Sequence, residues 1–258
     1  MVLLDVKNVS LAFGGLKVLQ DVHFSIPPNS VVGIIGPNGA GKTSLMNVIT
    51  GVCPPQSGSI QLGGVEVVGL APHRIAALGI RRTFQTSMLC PGLTVLENVM
   101  LGLEPRLGYG LPAALFGAGQ VVTHERKLRD RAMEMLDWLG MADLRDRDGR
   151  DLSFGQQRLV ELARALASEP KLLLLDEPAV GLSPPRVDEL AANLRKVRNT
   201  FNTAILVIEH VIQLVLESCD SVVVMNAGAV IAHDKPDTVT SDPAVIESYL
   251  GRRYYAAS

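Results

Sequence analysis

The chain has 258 residues, enough for one large domain or two small ones, and long enough to bury a core without disulfides or a structural metal. Its 24 basic and 26 acidic residues leave a net charge of −2, which argues against a strongly basic nucleic-acid binder. Cys53, Cys90 and Cys219 are scattered and form no Cys-x-x-Cys pair, the pattern of reduced thiols rather than of a zinc or redox site.

The chain opens on alternation. Val6, Val9, Leu11 and Phe13 are largely spaced by two, as are Val22, Phe24 and Ile26, and Gly14-Gly15 supplies a turn between the two strands. The apolar run Val31 to Ile35 predicts a fully buried strand, and Thr43 to Thr50 a helix stopped by Gly51. Residues 58 to 70 return to strand-like alternation, and Pro72 to Leu78 reads as a short helix bounded by Gly79.

From about Thr86 to Arg150 the pattern turns helical, which predicts a subdomain inserted into an α/β core. Residues 102 to 119, rich in Gly and Pro, are expected to be irregular. Thr123 is expected to cap a helix running to about Leu139, with Leu128, Ala132, Met135, Leu136 and Leu139 on one face. Ser153 is placed to cap a helix whose Leu159, Leu162, Ala163 and Leu166 share a face. Leu172 to Leu175 and Ala204 to Ile208 read as buried strands separated by a helix over Val187 to Arg198, and a further helix follows over Val211 to Glu217. Val222 to Met225 and Ala229 to Ile231 flank Asn226-Ala227-Gly228 as a hairpin, and Asp242-Pro243 opens a last helix that Gly251 can close.

No apolar run approaches the ~20 residues that span a bilayer, and the N-terminus lacks a signal-peptide pattern, so the expectation is a soluble, cytoplasmic chain. The 47% hydrophobic content leaves two readings open, a large parallel sheet or an apolar docking face for a partner.

Gly36-Pro37-Asn38-Gly39-Ala40-Gly41-Lys42-Thr43, with Ser44 beside it, matches the eight-position phosphate loop in the required context of a strand before and a helix after. The glycines let the backbone wrap an anion with its N–H groups turned inward, and the helix N-terminus adds positive potential. Lys42 would contact the outer phosphates of ATP, and Thr43 would offer its hydroxyl to Mg²⁺. Leu172 to Glu177 is an apolar strand ending in two acids. At the carboxyl end of such a strand, Asp176 would hold Mg²⁺, and Glu177 would orient or deprotonate the attacking water.

The order of these motifs resembles an ABC-type ATPase over essentially the whole chain. Leu152-Ser153-Phe154-Gly155-Gln156-Gln157 is similar to that family's signature, with Phe154 in place of the first glycine. The resemblance implies that Ser153, Phe154, Gly155 and Gln156 face the γ-phosphate of ATP held by an opposite subunit. It makes Gln85 a ligand of Mg²⁺ and the water, and His210 a γ-phosphate contact. It leaves Phe13 as either an adenine-stacking aromatic or a core residue. Ser183 stands where the family often has aspartate.

The resemblance also implies the fold. The implied fold is a P-loop NTPase (RecA-like) ABC ATPase core expected over about 1–85 and 160–258 with an antiparallel β-subdomain, and a helical subdomain expected over about 86–159.

Arg81 to Gln85, Leu93 to Val99, Gly181 to Pro184 and Asp242 to Gly251 are similar to the larger ATPase subunit of branched-chain amino acid importers. The function so implied is ATP hydrolysis that powers an importer at the cytoplasmic face of the membrane. Partners would be a second ATPase subunit, identical or related, permease subunits and, indirectly, an extracytoplasmic binding protein. No nucleic acid is expected. Related systems for urea or amide import or lipopolysaccharide export share several of these stretches. A soluble ABC ATPase and a small-molecule phosphotransferase are the alternatives outside transport.

Overall fold

The computed structural model describes residues 1–83, 89–103 and 118–246. They form two units, one drawn from Met1–Arg82 and Lys171–Ser258, the other from Thr83–Pro170.

The first unit is built on two sheets. Strands β1 (Leu4–Phe13) and β2 (Leu16–Ile26) form an antiparallel hairpin, with Leu4 opposite Ile26 and Phe13 opposite Leu16. The three-residue step from Val6 to Val9 in the sequence is a register shift, with Asn8 at φ 52° and its amide donating to Asp21 Oδ1 at 2.7 Å. The bulge lets both valines stay buried on one face. Strands β4 (Ser57–Leu62) and β5 (Val65–Glu66) complete the order β2-β1-β4-β5.

The second sheet has the order β10-β9-β3-β8-β7-β6, from β3 (Val31–Ile35), β6 (Ile80–Arg82), β7 (Leu172–Asp176), β8 (Ala204–Ile208), β9 (Ser221–Asn226) and β10 (Ala229–Asp234). All neighbours are parallel except the β9-β10 hairpin. Every residue of β3, β7 and β8 is buried, the pattern of parallel strands covered on both faces, which accounts for their unbroken aliphatic sequence. Because β3, β8 and β7 are adjacent and parallel, their carboxyl ends lie side by side on one edge. The segments that follow them start at Gly36, Glu209 and Glu177.

Helix α1 (Lys42–Ile49) follows the first of these ends, and α2 (Pro72–Ala77) precedes β6 with proline in its first turn.

In the second unit, α3 (Val95–Met100) begins at Thr94 with a capping box in which Thr94 and Glu97 satisfy each other's backbone N–H groups. Asn98, fully buried in this short helix, holds the loop before it: its Oδ1 accepts from Cys90 N–H at 2.7 Å and its Nδ2 donates to the Thr94 carbonyl at 3.0 Å. Helix α4 (Ala118–Trp138) packs with α3 and with α5 (Phe154–Ala167). The helix starts five residues before Thr123, so that threonine lies inside it and is not its cap. Ala118 and Gln120, good helix formers, extend the helix upstream of the local cap signal. Ala132, Met135 and Leu136 are buried as the periodicity requires.

Returning to the first unit, α6 (Pro184–Phe201) and α7 (Ile212–Ser218) pack together, and α6 runs three residues further at each end than the periodicity indicated. Pro184 presets its first turn, and Asn202 at φ 52° closes it. Helix α8 (Pro236–Ser241) and β6 were not anticipated; α9 (Pro243–Val245) starts at the expected Asp242-Pro243, while Gly251 lies outside the described residues.

Candidate nucleotide site

The phosphate loop leaves β3 at Gly36 and enters α1 at Lys42. Two of its glycines are dictated by the backbone. Gly36 has φ 154°, and a Cβ there would lie 2.1 Å from the Met225 carbonyl oxygen. Gly41, the residue preceding α1, is left-handed at φ 96° and carries no side-chain cap, so the first-turn N–H groups of α1 have no capping side chain. The first loop-to-helix bond is Leu45 N–H to the Gly41 carbonyl at 2.9 Å. A helix N-terminus in this state is an anion site.

The Lys42 ammonium is buried and donates to the carbonyls of Gly36 at 2.8 Å and Pro37 at 3.0 Å, folding back over its own loop. Burial pulls its pKa below the ordinary lysine value, against the opposing effect of the Glu177 and Asp176 carboxylates.

The acids Asp176 and Glu177 have different surroundings. Asp176 ends β7, is 6% exposed, and accepts from Arg82 Nη2 at 2.9 Å; Arg82 Nη1 in turn donates to Asn47 Oδ1 of α1 at 2.7 Å. Glu177 leaves the strand with φ 49°, its N–H bonded to the Ile208 carbonyl at 2.9 Å, and its Oε1 lies 2.8 Å from His210 Nε2. The carboxyl end of the sheet therefore brings together the phosphate loop, Asp176, Glu177 and His210.

Phe13 is 55% exposed at the turn end of the β1-β2 hairpin, which excludes the core role left open by its sequence position. Gln85 lies outside the described residues.

Glu209 and Arg82 drew no functional attention in the sequence. The available signal was position. Glu209 follows five buried residues and directly precedes His210, where an acid must find hydrogen-bond donors or be expelled.

The donor chemistry suits a hard cation. The Thr43 hydroxyl and the Asp176 carboxylate offer oxygen donors. Among the described residues no group of three or more His, Cys, Asp or Glu could hold a metal alone.

In the second unit, Ser153 caps α5. Its Oγ accepts from Gln156 N–H at 3.4 Å, and Gln156 Oε1 accepts from Ser153 N–H at 3.0 Å. A Cβ on Gly155 would meet nothing within 4 Å, so this end of α5 is open to approach. Phe154 is 45% exposed, with the Arg158 guanidinium 4.9 Å from its ring centroid.

The sequence profile of the ABC transporter family matches residues 19–180, which span the phosphate loop, the Ser153 cap and both acids. The chain belongs to the ABC transporter family. It is an ATP-hydrolysing member with the P-loop NTPase fold.

This ABC ATPase is 38% identical over 249 residues to the high-affinity branched-chain amino acid transport ATP-binding protein BraF of Pseudomonas aeruginosa, covering 96% of this chain and 98% of that one. It is 37% identical, at the same coverage, to the corresponding protein LivG of Escherichia coli K12. A further profile, described as a branched-chain amino acid ATP-binding cassette transporter, matches residues 229–255. Among solved structures, the ADP conformation of MJ1267, an ATP-binding cassette of an ABC transporter, superposes with a TM-score of 0.85 at 34% identity, covering 97% of this chain and 99% of that one. A dimeric post-hydrolysis cassette, MJ0796 with ADP and Pi, gives 0.75 at 26% identity, covering 90% and 98%. Among the described residues of this ABC ATPase no helix is long and apolar enough to cross a membrane.

Proposed function

We propose that this ATPase powers the import of branched-chain or other hydrophobic amino acids from the cytoplasmic face of a membrane, bound to permease subunits and to a second ATPase subunit. The observation that carries the cargo is similarity over 96% of the chain to proteins described as branched-chain amino acid transport ATP-binding proteins, extended by the family match over residues 229–255.

In this reading ATP lies along the phosphate loop from Gly36 to Ser44, with Phe13 against the adenine. The N–H groups of the loop and the first turn of α1 bind the phosphates. Lys42 exchanges its two carbonyl partners for phosphate oxygens, a favourable trade for a buried ammonium. Thr43, Asp176 and Gln85 would hold Mg²⁺, which would supply neutralisation of charge on the transferring phosphate. Glu177 orients the attacking water and takes its proton, and His210 donates to the γ-phosphate.

Each site is completed by the Ser153 to Gln156 segment of the opposite subunit. Its support is the open N-terminus of α5 and the dimeric state of the MJ0796 cassette. ATP then favours the closed pair, and loss of the γ-phosphate releases it.

The test is copurification from the native cell in mild detergent, followed by ATPase assays of the recovered complex in vesicles. Integral-membrane subunits should accompany the chain, and hydrolysis should rise with leucine, isoleucine or valine delivered by a binding protein. Stimulation by urea, an amide or lipopolysaccharide instead would overturn the cargo, and recovery with no membrane protein would overturn the transport role.

A further inference from the structure

Glu209 is fully buried at the end of β8, yet its carboxylate faces three backbone N–H groups. Oε1 accepts from Ala179 at 2.6 Å, and Oε2 accepts from His210 at 2.9 Å and Val211 at 3.2 Å. Its own N–H donates to the Ile34 carbonyl of β3 at 3.1 Å. The residue thus joins the strand that launches the phosphate loop, the turn after Glu177 and the segment carrying His210. With the Glu177–His210 contact at 2.8 Å, the path from Glu177 through Pro178 and Ala179 to Glu209, His210 and back forms a closed ring.

We infer that Glu209 is a positioning residue whose carboxylate locks the Glu177 turn to the His210 segment, so that the base and the γ-phosphate contact are held in register. The inference rests on the roles given above to Glu177 and His210.

Only a carboxylate fills this position. Three donors converge on it from two sides, and both of its oxygens accept. A glutamine offers one oxygen, and its NH₂ would point at an N–H on the other side. The buried charge is tolerable because it is hydrogen-bonded at both ends. Burial still pushes the carboxyl above the ordinary carboxylate range, the amides of Ala179, Val211 and His210 pull it back, and the Glu177 charge adds to the rise.

The experiment compares Glu209→Gln, Glu209→Asp and His210→Ala in the full-length chain, measuring kcat, KM for ATP, ADP affinity and thermal midpoint. Glu209→Gln should lower kcat by about a hundredfold, the scale for a reacting group misplaced by about 1 Å, while ADP affinity, set by the phosphate loop, stays within about twofold. Glu209→Asp, which keeps the charge, should recover part of that loss. In a His210→Ala background Glu209→Gln should lower kcat little further, because the register between Glu177 and His210 that it sets is already lost. A merely structural role would lower ADP affinity along with kcat and give the same loss in both backgrounds.

Wild-type kcat in Glu209→Gln, with His210→Ala impaired, overturns this inference alone. Unimpaired hydrolysis in His210→Ala overturns the site reading beneath it. Should the Glu209 variants fail to fold, hydrogen exchange in the wild-type protein decides. The Ala179 and Val211 amides should be among its well-protected positions, and fast exchange at Ala179 would refute the lock.

Discussion

Replacing Gly36 with alanine separates the folding role of the phosphate loop from its chemical role. The added Cβ would stand 2.1 Å from the Met225 carbonyl oxygen, 3.1 Å from its carbon and 3.3 Å from Ala40 Cβ. Real Cβ contacts stay above 3.0 Å, so the end of β3 and the end of β9 must part by about 0.9 Å, the difference between 3.0 and 2.1 Å. Met225 is fully buried in the core and has no side-chain freedom that relieves a clash with its backbone. Overpacking of this kind costs about 1–3 kcal/mol, and the positive φ adds about 1–3 kcal/mol. The expected loss is therefore about 2–6 kcal/mol from a total of about 5–15 kcal/mol. Gly39→Ala is the internal control: φ is 82°, but its Cβ meets nothing within 4 Å, so it incurs only conformational strain, about 1–2 kcal/mol. Urea unfolding of both variants without nucleotide, followed by ATP binding, reads the two effects apart. Stability of Gly36→Ala within about 0.5 kcal/mol of wild type, or an equal loss in Gly39→Ala, would refute the reasoning.

Glu177→Gln keeps an oxygen for His210 but removes the base. ATP affinity should be retained while steady-state hydrolysis falls about 10²–10⁴-fold, and unchanged turnover would remove Glu177 from the mechanism. Asn98→Ala removes a fully buried side chain and strands the part-buried Cys90 N–H and Thr94 carbonyl, so the chain should lose about 2–3 kcal/mol in urea unfolding; a loss near zero would mean the loop has other supports. Glu209 gives a pH dependence. Its folded pKa is raised, so between its unfolded value of 4.5 and the folded value the native state binds more protons than the unfolded one. Stability relative to Glu209→Gln should therefore fall as pH rises through that window, and parallel urea midpoints across the pH series would contradict it.

The elements that read clearly were those whose sequence carries one dominant signal. The all-buried strands Val31–Ile35 and Ala204–Ile208 stand at the residues their aliphatic runs marked. The Asn226-Ala227-Gly228 hairpin and the Ser153 cap are equally local. What escaped depends on tertiary pairing. Strand β6, Ile80 to Arg82, is only three residues long and exists because β7 offers it an edge. The start of α4 was misplaced because a threonine followed by charged residues resembles a cap wherever it falls, whereas the helix begins upstream, at Ala118. In the candidate site, Lys42, Asp176 and Glu177 announced themselves by type and context, and His210 only through the family resemblance. Arg82 and Glu209 did not, because the partners that give them a place in the site, Asp176 and Asn47 for the one and Ala179 beside its two local donors for the other, are 30 or more positions away in sequence.

The Asp176-Glu177 pair shows how that distant support becomes chemistry. Two acids adjacent in sequence would ordinarily share a solvated turn. Here β7 ends between them. Asp176 keeps strand geometry and points where Arg82 holds one of its oxygens, fixing a carboxylate suited to a cation. Glu177 turns into the left-handed region, which carries its side chain out of the strand's alternation and onto His210. That conformation is unfavourable for a glutamate by about 1–2 kcal/mol, and it is held by the Glu177 N–H bond to Ile208 and the Ala179 bond to Glu209. The division of labour proposed for the two acids, cation ligand and base, would thus follow from backbone geometry held by Ile208 and Glu209. Substitutions at Glu209 should therefore register in hydrolysis, although its side chain is fully buried and bonded to backbone N–H groups.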